Sequence, residues 1–286
     1  MTAPVFVVGC GRAGTTLLYE LLAGHPDLAW ISNFTNKRKC RAQFAALSFT
    51  FRQPQRMPLP GKLKARPVEG YRSWDMCRPV LNSPSDPPLG RDDVLQGEAE
   101  RVHEMASSLM RWQRRPRFLN KNTRSTRRIG WLDTIFPDAI WIHVVRDPRA
   151  TASSLLRVHW WGDLAIWCAG GVTPRAWEAQ GHDAAELAAQ LWTTETQLVL
   201  DHADGIGERY KRVTYEALVT DPASVTREIL DHAGLKQDPS FDRHVAAYGI
   251  SDRREGWRSN LSRERQDLIT ERTSDIARVV GYELSG

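Results

Sequence analysis

The chain has 286 residues, 41% of them hydrophobic and 26% charged, which is ordinary globular composition at a length that buries a large core and excludes a disordered or fibrous protein. No apolar run approaches the ~20 residues that span a bilayer. Net charge is +5, and 32 of the 39 basic residues are arginine; the planar guanidinium suits oxyanion recognition, although a GC-rich genome gives the same bias, and no dense basic run or nucleic-acid module accompanies it.

Met1-Thr2-Ala3-Pro4 leads straight into Val5-Phe6-Val7-Val8 without the basic start and long apolar stretch of a signal peptide, so a cytoplasmic protein is expected. Cys10, Cys40, Cys77 and Cys168 lie far apart with no CxxC pair, and all four are expected as free thiols, with no metal site.

Residues 4–9 are β-branched and aromatic up to a glycine and predict a buried strand; Leu17, Leu18, Leu21 and Leu22 then recur at helical spacing between Gly14 and Gly24. His25-Pro26-Asp27 stops that helix, and Leu28-Ala29-Trp30-Ile31 predicts a second strand. Residues 33–90 have little periodicity but many apolar side chains, which predicts an irregular excursion packed on the core. Further along, the pattern predicts a helix over 92–112, a strand over 118–121, a helix over 126–135 and a strand over 140–145. A helix from Pro148 to Arg157, a weak strand over 210–214 and a helix over 223–233 complete the alternation. Alternating strands and helices predict an α/β fold, a three-layer parallel β-sheet flanked by helices. Trp160, Trp161, Trp167, Trp177 and Trp192 crowd into one segment; they either line an acceptor pocket or pack a helical insertion.

Gly9-Cys10-Gly11-Arg12-Ala13-Gly14-Thr15-Thr16 stands between the first strand and the first helix. Gly9, Gly11 and Gly14 fit GxGxxG, but a dinucleotide fold needs an acidic residue at the end of the second strand, which here reads Ile31-Ser32-Asn33. Gly9 and Gly14 also have Walker A spacing, yet Thr15 stands where the lysine belongs and the cation has moved to Arg12. Such a loop still presents backbone N–H groups, a helix N-terminus and two threonine hydroxyls to an anion.

These residues resemble the first motif of the 3′-phosphoadenosine 5′-phosphosulfate (PAPS)-dependent sulfotransferases, with its P-loop-containing nucleotide-binding fold, matched over Gly9 to Leu18. A second element, Arg146-Asp147-Pro148-Arg149 with Ser154 eight residues after Arg146, resembles that family's 3′-phosphate motif. Read on its own, Arg146-Asp147 is alternatively a local ion pair capping a helix. Lys121 matches the family lysine that reaches the transferring group, and Val213-Thr214-Tyr215-Glu216 resembles a segment whose tyrosine lies near the nucleotide. Gly256-Trp257-Arg258 and Gly281-Tyr282 resemble its C-terminal segments.

The resemblance implies a single sulfotransferase domain over 1–286, with substrate-covering excursions at about 33–115 and 160–205, moving a sulfuryl group from PAPS to a hydroxyl or amine. PAP, adenosine 3′,5′-bisphosphate, is then the product, and no metal is required. The acceptor is expected to be a small molecule, carbohydrate or lipid, not nucleic acid. Gly11, Arg12, Ala13, Gly14, Thr15, Thr16, Arg146, Ser154, Tyr215 and Arg258 are expected to hold the donor, and Arg12 and Lys121 to act on the sulfuryl group. Related branches carry a glutamate soon after His-Pro-Asp that is absent here, so the general base is sought elsewhere: Glu69 leads, with Asp75 and His159 as alternates. The competing functions are a P-loop kinase or NTPase, for which Asp147 is the nearest approximation to a magnesium ligand, and a non-catalytic nucleotide-binding module.

Overall fold

The computed structural model describes residues 2–37, 41–52, 64–78 and 87–284; Cys40 and the intervening parts of the 33–115 excursion lie outside the described residues. Strands β1 (Thr2–Val8), β2 (Leu28–Ala29), β3 (Arg117–Lys121), β4 (Ile140–Val145) and β5 (Tyr210–Thr214) pair in parallel in the order β2-β3-β1-β4-β5. From β1 the chain passes over β3 to β2 on one side, and from β4 it continues outward to β5 on the other, so the loop after β1 lies at the topological switch point, where open α/β sheets bind ligands.

Successive side chains of a strand point to opposite faces, and in β1 both sets are apolar. Val5 and Val7 pack with Leu18, Leu21, Ile229 and Leu230 from the helices Thr15–Leu22 and Pro222–Ala233. Phe6 and Val8 pack on the other face with Val102, Leu109 and Trp131 from the helices Glu98–Gln113 and Ile129–Ile135. The result is the expected three layers. Each large apolar side chain buried this way contributes roughly 1.5–3 kcal/mol.

Three expectations are corrected. The helix predicted from residue 92 starts at Glu98, because Gly97 takes a left-handed conformation (φ 76) and the Glu98 carboxylate turns back to accept the Leu95 N–H at 3.0 Å. The helix predicted over 126–135 is divided into a 3-10 turn, Thr123–Arg127, and the helix Ile129–Ile135; Asn122 caps that turn by accepting the Arg124 N–H, and Thr126 is drawn to the loop after β1. Within the 160–205 segment, the helix Ala184–Ile206 is a core element rather than a cover, packed on the helices Pro148–Leu156 and Arg263–Val279 through Leu187, Leu191 and Trp192. Period-3.6 burial on its inner face outweighs the tryptophan richness that made the segment read as an insertion. Trp161 and Trp192 are buried in this cluster, and only Trp160 of the five reaches the cleft described below.

Candidate active site

At the carboxyl end of β1 the backbone turns sharply. Gly9 has φ +140, and a Cβ there would stand 2.3 Å from the Val144 carbonyl oxygen, so only glycine fits between β1 and β4. The Gly9 N–H donates to Thr126 Oγ1 at 3.0 Å, and that hydroxyl lies 3.2 Å from the Gly9 carbonyl oxygen. The turn closes by an Ala13 N–H bond to the Cys10 carbonyl at 3.1 Å. Arg12 has φ 71, a left-handed conformation that costs a non-glycine residue roughly 1–2 kcal/mol and aims its side chain outward. Gly14, at φ +98, leaves room for the Tyr215 ring; a Cβ would lie 2.4 Å from Tyr215 Cδ2. The helix then starts at Thr15, whose first-turn amides have no intrahelical partner and face the ligand side.

The second element comes from β4. Arg146 is 6% exposed, donates to the Arg12 carbonyl at 3.2 Å and to the Arg253 carbonyl at 2.7 Å, and lies 4.2 Å over the Tyr215 ring. Its Nε is buried without a hydrogen-bond partner among the described residues. Asp147 does not pair with it: the carboxylate caps the next helix by accepting the Arg149 N–H at 2.8 Å and the Arg149 guanidinium at 2.8 Å. That settles the alternative of an Arg146-Asp147 cap, and it leaves Asp147 engaged rather than open to a cation. Ser154, on the helix Pro148–Leu156, accepts from Arg12 Nε at 3.0 Å.

The third element joins the excursion to β3. Residues 66–68 run antiparallel to 31–33, with Asn33 N–H on the Arg66 carbonyl at 3.0 Å and Val68 N–H on the Ile31 carbonyl at 2.9 Å. This pairing carries Glu69 to the end of β3, where its carboxylate is ion-paired with Lys121 and accepts the Tyr71 hydroxyl. Asn122 Nδ2 donates to the Glu69 carbonyl at 3.3 Å. Lys121 is 2% exposed, and Arg124 stacks 5.1 Å from the Tyr71 ring. Burial first, then the Glu69 charge, pushes the Tyr71 phenol well above its ordinary range, so it remains a donor.

One cleft of about 1110 Å³ is lined by all three elements: Arg12, Thr15 and Thr16 of the loop, Arg146 and Ser154 of the second, Glu69 and Lys121 of the third. Tyr215 and residues 249–257, which end on the Gly256-Trp257 segment, close its other wall. The sequence matches the profile of the Sulfotransferase family over residues 4–239. The chain belongs to that family. It is 24% identical over 309 residues to the omega-hydroxy-beta-dihydromenaquinone-9 sulfotransferase of Mycobacterium tuberculosis, covering 98% of this chain and 75% of that one. The fold is similar to the sulfotransferase STF9 from Mycobacterium avium (TM-score 0.61, 18% identity, 100% of this chain and 79% of that one). It is also similar to the sulfotransferase domain of the Synechococcus PCC 7002 olefin synthase (TM-score 0.56, 20% identity, 100% and 98%).

In this sulfotransferase, most expected site residues therefore meet in one place, and some do not. Ala13 is buried and its N–H is spent inside the turn, so it shapes the loop rather than facing the cleft. Arg258 lies outside the cleft lining, exposed, stacked 4.5 Å from Trp257 and paired with Glu255. Asp75 and His159 do not line the cleft either. Sequence reasoning missed Tyr71 and Thr126, whose roles depend on contacts 2 and 117 residues away in the chain, with no spacing signal. Among the described residues no group of three or more His, Cys, Asp or Glu could hold a metal, and no helix is long and apolar enough to cross a membrane.

Proposed function

We propose that this sulfotransferase uses PAPS as donor and transfers its sulfuryl group to a hydroxyl, or an amine, of a small-molecule, carbohydrate or lipid acceptor, as one domain acting in the cytoplasm. The observation that carries the donor assignment is the convergence of Arg12, Arg146 and Lys121 on one cleft at the switch point, with a threonine where a nucleotide-hydrolysing loop would have lysine. The fit is chemical. Arg146 offers an unpartnered buried Nε and an arginine fork matched to a phosphate, with the Ser154 hydroxyl on the same wall. Loop amides of the helix Thr15–Leu22 and the Thr15 and Thr16 hydroxyls suit a 5′-phosphosulfate.

PAPS supplies a sulfuryl group on a phosphosulfate anhydride whose leaving group is PAP. Arg12 and Lys121 neutralise charge on the transferring group and the bridging oxygen, so electrostatics and alignment carry most of the rate. Glu69 accepts the proton of the acceptor hydroxyl as oxygen attacks sulfur, a contribution of roughly 10²–10⁴-fold. The bond formed is acceptor oxygen to sulfur; the bond broken is sulfur to the bridging oxygen, and the proton stays on Glu69. Lys121 holds the Glu69 carboxylate before reaction, and shifting toward the bridging oxygen releases it, so one cation serves both the base and the leaving group. Tyr71 keeps the carboxylate in place during that exchange.

Calorimetric titration of the full chain with PAP, ATP and NAD tests the donor. PAP is expected to bind most tightly, and turnover of PAPS is expected to persist in EDTA; preference for ATP, or an absolute need for added Mg²⁺, would overturn the assignment.

A further inference from the structure

A cleft of about 1110 Å³ is larger than the roughly 300–1,000 Å³ that takes one small molecule, so it has room for an acceptor beside the donor. The donor's share of the wall is the loop after β1, Arg146, Ser154 and Tyr215. Another stretch of lining has no part in that: Arg157, Val158 and Trp160, in the turn after the helix Pro148–Leu156. Two backbone bonds fix this turn, Val158 N–H to the Leu155 carbonyl at 3.1 Å and Trp161 N–H to the Val158 carbonyl at 3.0 Å. It begins one helical turn beyond Ser154, whose hydroxyl accepts from Arg12, and leads to Trp167, whose ring lies 5.2 Å from the Arg127 guanidinium. Arg127 closes the 3-10 turn that follows Lys121. Residues 157–160 therefore start at the wall of the 3′-phosphate and lead toward the side on which Glu69 and Lys121 stand.

Among the described residues six cations line the cleft, Arg12, Lys121, Arg146, Arg157, Arg253 and Arg254, against three carboxylates. Each carboxylate is already engaged: Glu69 by Lys121, Asp252 by Arg254, and Glu255 by Arg258 from outside the lining. Arg12, Lys121 and Arg146 serve the donor, and Arg253 stands on the donor's wall, its carbonyl 2.7 Å from Arg146. The Arg157 guanidinium forms no ion pair or hydrogen bond with a described residue, so its charge is free for a ligand. Trp160, on the same turn, is 41% exposed, whereas its neighbour Trp161 is 3% exposed and packs in the core. An open indole face and an unpaired guanidinium on one turn match an aromatic ring that bears an oxyanion.

We propose that residues 157–160 form the acceptor subsite and that the acceptor is a hydroxylated aromatic compound carrying a carboxylate or like oxyanion. The ring lies against Trp160, the anion on Arg157, and the hydroxyl toward Glu69. The proposal rests on the sulfotransfer reading of the cleft and leaves the transfer step as given above.

Rates of PAPS-dependent sulfation test it with 6-hydroxy-2-naphthoate against 2-naphthol and 4-hydroxybenzoate against phenol, two ring sizes whose members differ by the anion. The wild type is expected to favour the acid of at least one pair by about tenfold in kcat/KM, the worth of a charge-assisted hydrogen bond at a partly exposed site. Arg157→Ala is expected to lower that ratio by about tenfold, and Arg157→Lys, which keeps the charge and loses the fork, to recover part of it. Trp160→Ala is expected to raise KM for acid and neutral compound alike by about three- to tenfold, with the ratio kept. A ratio of about one in the wild type for both pairs overturns the proposal, as does a ratio that survives Arg157→Ala. A fall in PAP affinity in Arg157→Ala with the acid preference intact assigns that arginine to the 3′-phosphate instead. Where neither pair turns over, calorimetry of the PAP complex with the same compounds decides: acid binding that depends on Arg157 is expected, and binding of neither acid overturns the subsite. If the wild type binds no PAP while 6-hydroxy-2-naphthoate still binds through Arg157, the donor assignment fails and the anion subsite stands. If PAP binds and neither acid is preferred, the subsite alone falls.

Discussion

Replacing Arg146 by alanine separates the 3′-phosphate from the rest of the donor. The guanidinium is 6% exposed; each terminal nitrogen gives one N–H to the Arg12 and Arg253 carbonyls at 3.2 and 2.7 Å, and Nε has no partner among the described residues, so N–H groups on both sides of the fork remain for a phosphate. A charge-assisted hydrogen bond to phosphate is worth about 1.5–3 kcal/mol, which is a factor of about ten to 150 in affinity. The two carbonyl anchors and the stack on Tyr215 are lost as well, but they support loop and wall alike and weaken any adenine nucleotide by the same factor. Calorimetry with PAP and AMP separates the two effects. The ratio of PAP to AMP affinity is expected to fall by about ten to 150-fold in Arg146→Ala, with only part of it recovered by Arg146→Lys, which keeps the charge and loses the fork. If PAP and AMP weaken equally, Arg146 is an anchor for the loop and not the 3′-phosphate ligand.

Lys121→Ala should lower kcat and kcat/KM together with PAP affinity nearly unchanged, because charge at the bridging oxygen is stabilised only as the bond breaks; a change confined to PAP affinity would refute this role. Glu69→Gln should cost about 10²–10⁴-fold in kcat at near-normal PAP affinity, and wild-type turnover in that variant would move the base elsewhere in the cleft. Gly14→Ala meets both an adverse φ and the Tyr215 ring at 2.4 Å. It should lower Tm by at least a few degrees and weaken PAP by about tenfold, against a wild-type titration curve if the loop tolerates a side chain there. Burial, then Arg212, lowers the His143 imidazole from 6.5 to about 3. The unfolded chain therefore binds a proton there that the folded chain does not, and stability falls as pH drops from 6.5 toward 3, by up to ~1.4 kcal/mol per unit. Comparing urea midpoints at two pH values within that window, His143→Gln should flatten the dependence; an unchanged slope would refute it.

The strands and the donor loop were legible in the sequence because their determinants are local. β1 and β4 are continuous apolar runs, as a strand buried on both faces requires, and Gly9, Gly14 and Arg12 sit where a strand-to-helix turn needs them. Arg146 and Ser154 were legible for the same reason, since both lie within one strand-helix junction. What the tertiary structure alone decided are the meetings of segments distant in the chain. Residues 66–68 pair with 31–33 and deliver Glu69 to Lys121 across 52 positions; the helix Ala184–Ile206 is an apolar-striped element that enters the core only by packing on Pro148–Leu156 and Arg263–Val279. Arg258, placed in the site by the resemblance of its segment to the family's C-terminal element, turns out to solvent beside Trp257 and Glu255 because the short helix Trp257–Asn260 buries Trp257 instead. Local patterns record what each residue needs from its immediate backbone, whereas the pairing of a base with a cation depends on how the chain closes its long loops, which no window of sequence contains.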